Sequence, residues 1–363
     1  MPIGKPIRAK IRKQPLGKTG LKSTVLGFGG IPIQQVSVDE AVAVIQRAFK
    51  LGINYFDTAR AYTDSETKIG LALENVRAQC IIATKSTAKT KDEMEQAIAT
   101  SLKELRTEYI DIYQCHNIQN RGMLRQILAP DGAVTALKEA KKKGIIGHIG
   151  ITSHSVPILI EAIETTAVFE TILVPYNYVE TDIVDKLLPL AQKKKIAVIA
   201  MKPLGGGAFI DNPRMALKFI FEQPISIALV GMQTIAEVEE DVRISKRLGK
   251  LTPSEKNVIT QLELTLNKNF CRRCGYCQPC SVGIEIPFIL NAKYFYKRYG
   301  WQHYISGKDI PKFEKVKECI QCRKCETRCP YQLPIPDLLP GRVQDIEQIY
   351  KQSISKENRV AKI

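Results

Sequence analysis

No stretch of the 363-residue chain approaches eighteen consecutive apolar residues, so a hydrophobic membrane-spanning helix is excluded. The opening run MPIGKPIRAKIRKQP is basic, yet no apolar core follows it; no secretory signal is expected, and a cytoplasmic location is. Acidic residues are few beside basic ones: 37 Asp and Glu against 53 Lys and Arg, a formal net charge of +16. The positive charge is spread along helical runs such as KEAKKKG and AQKKKI, where it complements helix C-termini, and it forms no stripe with interleaved aromatics. Nucleic acid is therefore not an expected partner. Also missing is a Gly-x-Gly-x-x-Gly turn opening a first helix. LGFGG and PLGGG have other spacings, and the second falls too late in the chain, which argues against a doubly wound dinucleotide-binding sheet.

What is present is regular alternation. A basic leader over 1–14 precedes a hairpin signal, Gly17-Lys18-Thr19-Gly20, and a strand that stops at Gly29 and Gly30. From residue 38 apolar runs of helical period alternate with short β-branched runs: INYFDTA, CIIATK, YIDIYQCHN, IIGHIGIT, TILVPYN, IAVIAMKPL and ISIALVGM. Counting the strand at Gly29, eight strand–helix units predict an α/β fold, a closed (β/α)8 TIM barrel over 15–250. Two further segments are expected, a small and mainly helical cysteine-rich domain over 251–345 and a tail over 346–363.

In such a barrel the chemistry gathers at the carboxyl ends of the strands. Asp57 closes INYFDTARAY's apolar run, Tyr62 follows in the next loop, Lys85 ends CIIATK, and His116 ends the strand of QCHN. Alone, Asp57 reads as a turn or helix cap and Tyr62 as an amphipathic loop residue. Four such groups at one edge suggest more. A phenol, with a pKa near 10, is a poor acid at neutral pH. A nearby ammonium lowers it, a carboxylate fixes the ammonium, and an imidazole orients a carbonyl oxygen.

These residues resemble the catalytic tetrad of the aldo-keto reductases, TIM barrels that reduce carbonyls with a nicotinamide cofactor. The resemblance spans roughly 14–248 and rests on the LGKTGLKSTVLGFG entry, FDTARAY, ATK and QCHN, in order. It implies Tyr62 as general acid, Lys85 as the group that tunes it, Asp57 as the anchor of Lys85, and His116 as the orienter of a small carbonyl or alcohol substrate. It also implies NAD(P)H binding by Gly29, Gly30 and Asp57, by Thr152 and Ser153 at the carboxamide, by Lys202, Leu204 and Gly205 at the pyrophosphate, and by Glu240 and Asp241 near the adenine. Leu173 stands where many relatives carry Gln, and Met201 where they carry a ring-stacking Tyr. Glu237 replaces a base that grips the 2′-phosphate of NADPH, so NADH is favoured.

Eight of the ten cysteines fall between Cys271 and Cys329; Cys80 and Cys115, inside apolar runs, read as small core residues. Without an export signal the eight are expected to bind metal rather than form disulfides. Their spacing is Cys271-x2-Cys274-x2-Cys277-x2-Cys280 and Cys319-x2-Cys322-x2-Cys325-x3-Cys329-Pro330. Paired Cys-x2-Cys also suits structural zinc, but the triple repeat ending in Cys-Pro is the bacterial 4Fe-4S run, and two 4Fe-4S clusters are expected. With eight thiolates and two doubly charged cores the net charge falls to about +12. The segment resembles a two-cluster ferredoxin domain, in which the fourth cysteine serves the other cluster. This implies the sets Cys271, Cys274, Cys277, Cys329 and Cys319, Cys322, Cys325, Cys280. Cys280 follows an x2 rather than x3 spacing, and Ser281 stands where Pro is common. Some aldo-keto reductase-like proteins carry such a tail. The adjacency of one-electron clusters to a hydride site suggests a relay of electrons to or from the barrel or to an acidic carrier such as a ferredoxin, the alternative being clusters that only fasten the tail onto the barrel. The competing expectation is an electron-transfer protein whose barrel has no carbonyl chemistry.

Overall fold

The structure is a computed structural model describing residues 10–266, 268–299 and 309–360, with the backbone alone for 297–299 and 352–360. The first nine leader residues, the last three of the tail and the end of the aromatic run at 300–308 lie outside the described residues. Two compact units divide the chain, one of 1–204 and 212–251, the other of 205–211 and 252–363.

The first unit is a closed barrel of eight parallel strands: β3 (Leu26–Gly29), β4 (Tyr55–Asp57), β5 (Ile81–Ser86), β6 (Ile110–Cys115), β7 (Ile146–Thr152), β8 (Thr171–Pro175), β9 (Ala197–Met201) and β10 (Ile227–Gly231). They run in chain order around the barrel, with β10 returning to β3. The two preceding strands, β1 (Lys13–Pro15) and β2 (Lys22–Thr24), form an antiparallel hairpin. That hairpin lies across the amino ends of the barrel strands: the Lys18 amide donates to the Lys195 carbonyl, and Gln14 Nε2 donates to the Ile225 carbonyl at 2.8 Å. Its turn needs Gly17, where φ is +53° and a Cβ would sit 2.4 Å from the Lys195 oxygen. Leu16 then plugs the barrel, joining Tyr55, Ile81, Ala83, Ile112, Leu173, Ala197, Ile199, Ile227 and Leu229 in one buried cluster. Each leucine and isoleucine among them contributes roughly 1.5–3 kcal/mol on leaving water. The amino end is closed, and the opposite face holds the strand ends.

The outer helices begin on strong caps. Ser37 and Glu40 form a capping box at α1 (Val38–Lys50), as do Thr90 and Glu93 at α3 (Lys91–Glu104). Between them α2 (Ser65–Leu73) follows β4. Two places differ from the periodicity. An additional helix, α4 (Arg121–Leu128), capped by the Asn120 side chain on the Met123 amide, precedes α5 (Ala133–Lys142). After α6 (Val156–Thr165), α7 (Leu187–Lys193) starts late, with Pro189 in its first turn, where proline is tolerated. Helices α8 (Pro213–Ile220) and α9 (Ile235–Ser245) complete the barrel.

The second unit packs α10 (Pro253–Leu266), α11 (Ile286–Tyr299), α12 (Ile310–Glu314), α13 (Lys324–Thr327) and α14 (Ile335–Val360). Its core includes Ile284, Ile286, Ile289, Leu290, Phe313, Val316, Leu333, Leu339 and, within that same cluster, Cys271 and Cys277. The helix α14 runs unbroken across the 345/346 boundary expected for the tail. Among the described residues no helix is long and apolar enough to cross a membrane.

Candidate active site

β4 and β5 pair with Asp57 opposite Ala83, and β5 and β6 pair with Lys85 opposite Gln114. Side chains two residues apart on a strand share a face, so Lys85 emerges above Ala83 on the side of Asp57. Its ammonium is ion-paired to Asp57 Oδ1 and donates to the Thr58 carbonyl at 2.7 Å. Gln114 Nε2 donates to Asp57 Oδ2 at 3.2 Å, so both carboxylate oxygens are engaged. Asp57 and Lys85 are 2% and 1% exposed, which makes each dependent on the other, because an unpaired buried charge costs several kcal/mol.

Tyr62 and His116 complete the group. Lys85 Nζ lies 5.0 Å from the Tyr62 ring centroid, and the Tyr62 and His116 rings meet edge to face, 5.9 Å apart at 84°. Burial would lower the Lys85 pKa, but Asp57 and the charge and hydrogen bond of Tyr62 outweigh it and hold the ammonium above its ordinary value. His116 moves the other way: burial first, then the Lys85 charge, push it down to about 3, so the imidazole is neutral at pH 7. Its Nδ1 is buried and finds no hydrogen-bond partner among the described residues.

The loop carrying Tyr62 is pinned by residues the sequence reading did not single out. The Arg60 amide donates to the Lys85 carbonyl at 2.9 Å. Arg60 Nη1 bonds Glu66 Oε2 and, at 2.7 Å, Glu104 Oε2; Thr84 Oγ1 donates to Glu66 Oε1 at 2.6 Å. Ser65 Oγ donates to the Gly30 carbonyl at 3.0 Å. Gln114 was visible inside QCHN, but nothing in one sequence marks it as a partner of Asp57.

The cofactor candidates are dispersed by comparison. Gly29 and Gly30 serve close packing: a Cβ on Gly30 would lie 2.8 Å from Ser65 Oγ and 2.9 Å from the Asp57 oxygen. Thr152 Oγ1 accepts from the Asn117 amide at 2.7 Å, and Ser153 Oγ donates to the Ile118 carbonyl at 2.6 Å, so both hydroxyls fasten the chain after β6. Lys202 has φ of +57° and its carbonyl accepts from Asn177 Nδ2 at 3.1 Å; Leu204 is buried. Gly205, also at φ +57°, falls in the second unit. On α9, Glu240 is exposed beside Arg243 while Asp241 is buried, so the two carboxylates do not share a surface. Glu237 accepts from the Gln233 and Thr234 amides as the cap of α9. Leu173 belongs to the barrel's apolar cluster, with Met201 packed against it. The chemistry of the tetrad, a charged lysine beside a phenol with a neutral imidazole, fits a nicotinamide-dependent carbonyl site.

In the second unit Cys280, Cys319, Cys322 and Cys325 line one cavity. Cys274 has Cys271 and Cys329 as neighbouring thiols, and Cys277 has Cys271, Cys274 and Cys325. Burial, then those neighbouring sulfurs, pushes the Cys277 thiol up to about 12, whereas exposed Cys322 lies below its ordinary value because the Lys324 amide and the Ser281 hydroxyl favour its thiolate. Among the described residues no three His, Cys, Asp or Glu side chains gather tightly enough to hold a single metal ion, and four of the sulfurs line a common cavity. That donor set fits iron-sulfur clusters.

Comparison with known proteins agrees. The model of the aldo/keto reductase family matches residues 25–212, and that of a 4Fe-4S dicluster domain matches 270–334. An L-galactose dehydrogenase of Arabidopsis thaliana is 29% identical over 306 residues, 71% of this chain and 95% of its own. A methylglyoxal reductase of Escherichia coli O157:H7 is 32% identical over 173 residues, 46% of this chain and 56% of its own. Among solved structures, the holo form of an aldo-keto reductase of Bacillus halodurans superposes with a TM-score of 0.60 at 24% identity, covering 69% of this chain and 96% of that one. An aldo/keto reductase of Klebsiella pneumoniae in complex with NADP and acetate has a TM-score of 0.60 at 19% identity, over 70% and 96%. With a matching family model over more than half its length, the chain belongs to the aldo/keto reductase family, and it carries a 4Fe-4S dicluster domain C-terminal to that match in the sequence.

Proposed function

We propose that the chain interconverts a small carbonyl compound and its alcohol, with Tyr62 as the proton donor to the carbonyl oxygen. The observation that carries this reading is the Lys85 ammonium, bound to Asp57 and set over the Tyr62 ring. A nicotinamide cofactor, when bound, supplies the hydride. Lys85 makes the phenol a better acid, Asp57 keeps Lys85 in place, and neutral His116 donates to the substrate oxygen and orients it. Gly29, Gly30, Thr152, Ser153, Lys202, Leu204, Glu240 and Asp241 are the proposed surroundings of the cofactor. NADH is proposed over NADPH on the resemblance alone, which aligns Glu237 with a basic residue that grips the 2′-phosphate. The names of two curated relatives, an L-galactose dehydrogenase and a methylglyoxal reductase, support the same type of oxidation and reduction. Tyr62→Phe tests this directly: turnover of methylglyoxal should vanish while NADH binding persists, and a fully active variant would refute the assignment.

The eight clustered cysteines are proposed to hold two 4Fe-4S clusters that pass single electrons, with an acidic carrier as partner. A second reading, electron transfer without carbonyl reduction, is favoured by one observation: Leu173 and Met201 are apolar and packed at the barrel interior. Rapid anaerobic mixing of holoprotein with NADH separates the two. Bleaching of the clusters without any aldehyde turnover would favour the second reading, and turnover with unchanged cluster absorbance the first.

A further inference from the structure

The two cysteine runs are near copies, but one position differs in a way the fold makes chemically relevant. Cys329 is followed by Pro330, and Cys280 by Ser281. Proline has neither a side-chain donor nor an N–H. Ser281 has a hydroxyl, and its Oγ lies 3.7 Å from the sulfur of Cys322, in the cavity that Cys280, Cys319, Cys322 and Cys325 line. Backbone amides reach both sets, from Tyr276 to Cys274 and from Lys324 to Cys322, so amides alone do not separate them. The hydroxyl does. Burial separates them further: Cys322 is exposed, whereas Cys271 and Cys277 are 8% and 6% exposed.

We propose that Ser281 is a tuning residue: its O–H donates to the Cys322 thiolate and raises the reduction potential of the cluster held by Cys280, Cys319, Cys322 and Cys325 above that of the other set. The physical cause is electrostatic. Reduction adds one electron to a cluster already negative with its thiolates, and a donor or water dipole aimed at a ligating sulfur stabilises the reduced form more than the oxidised one. Buried Cys271 and Cys277, with Pro330 at the matching position, leave the first set without that hydroxyl. The added electron therefore rests on the exposed cluster, the one that solvent and an electron carrier reach. This proposal rests on the reading of the cysteines as cluster ligands.

The test is an anaerobic reductive titration of the holoprotein followed by electron paramagnetic resonance. The full chain should take up two single electrons at separate midpoints. Ser281→Ala should lower the reduction equilibrium constant of the higher-potential cluster about tenfold, which is about 59 mV for a one-electron couple, and leave the other in place. Ser281→Thr, which keeps the hydroxyl, should stay within about threefold of the natural protein. Coincident midpoints in the unaltered protein, or an alanine variant whose two midpoints match it, would overturn the proposal. If the alanine variant does not assemble its clusters, the midpoints of the unaltered protein decide. A holoprotein without iron and labile sulfide refutes the cluster reading itself.

Discussion

Lys85 Nζ sits 5.0 Å from the centre of the Tyr62 ring and is ion-paired to Asp57 at the same time, so one ammonium joins the carboxylate to the phenol. Replacing it separates stability from chemistry. Lys85→Met leaves Asp57 buried without its cation, and removing one partner of a buried pair costs about 3–5 kcal/mol. Loss of a tuned proton donor lowers kcat by about 10²–10⁴-fold. Thermal melts and steady-state aldehyde reduction should show both effects, while the Kd for NADH, from quenching of protein fluorescence, changes by only a few-fold. A variant that folds normally and turns over at the natural rate would show that Tyr62 does not depend on Lys85.

Gly150 tests the layer beneath this pair. It faces Gln114 across the β6–β7 register, and a Cβ there would lie 2.3 Å from Thr171 Oγ1 and 2.8 Å from Gln114 Cγ. Gly150→Ala should therefore push Gln114 off Asp57 and destabilise the barrel by about 1–3 kcal/mol, as overpacking does. Urea denaturation measures the loss. Gly150→Ala combined with Gln114→Ala, which opens the space, should recover part of it.

The barrel was legible because each strand is a short β-branched run and each helix has an apolar stripe, and parallel βα units leave few ways to close. Asp57, Lys85 and His116 were legible because strand ends are visible in sequence, and the barrel rule assigns them all to one face. Gln114 and Glu66 were not, since their partners come from 57 and 18 residues away and depend on register and loop path. Glu237 shows the opposite case. Thr234 with Glu three residues later is a capping-box signature, and the structure uses it as one. The cysteine spacing announced metal, but only the folded chain puts Ser281 beside Cys322.

His116 gives a dependence on pH whose sign can be worked out. Its folded pKa, about 3, lies below the unfolded value near 6.5, so the unfolded chain takes up a proton first as pH falls. Stability is full above pH 6.5 and declines below it. Between pH 7.5 and 5.5 the loss from this one group should be roughly 1 kcal/mol, since one pKa unit corresponds to about 1.4 kcal/mol. His116→Gln removes the titrating group, and its melting temperature should fall less over that interval than that of the unaltered chain. Parallel pH dependences in the two proteins would mean that the His116 pKa does not shift on folding.

Glu66 helps hold the loop that presents Tyr62. Its carboxylate is 1% exposed, accepts from Thr84 Oγ1 on β5 at 2.6 Å, and is bound on its other oxygen by Arg60, whose amide is tied to the Lys85 carbonyl. The acid thus connects the strand bearing Lys85 to the start of the loop bearing Tyr62. Glu66→Gln keeps the shape and an acceptor for Thr84 but leaves Arg60 facing a neutral amide, a loss of about 1–3 kcal/mol for a hydrogen bond to a charged group. A loop displaced even slightly misplaces the proton donor more than it changes what binds, so kcat should fall about tenfold or more with KM within a few-fold. The same change at Glu104, the more exposed partner of Arg60, should have a smaller effect on both quantities. If Glu66→Gln instead raised KM and left kcat alone, the pair would act on substrate access, and the link from Arg60 to Tyr62 would have to be abandoned.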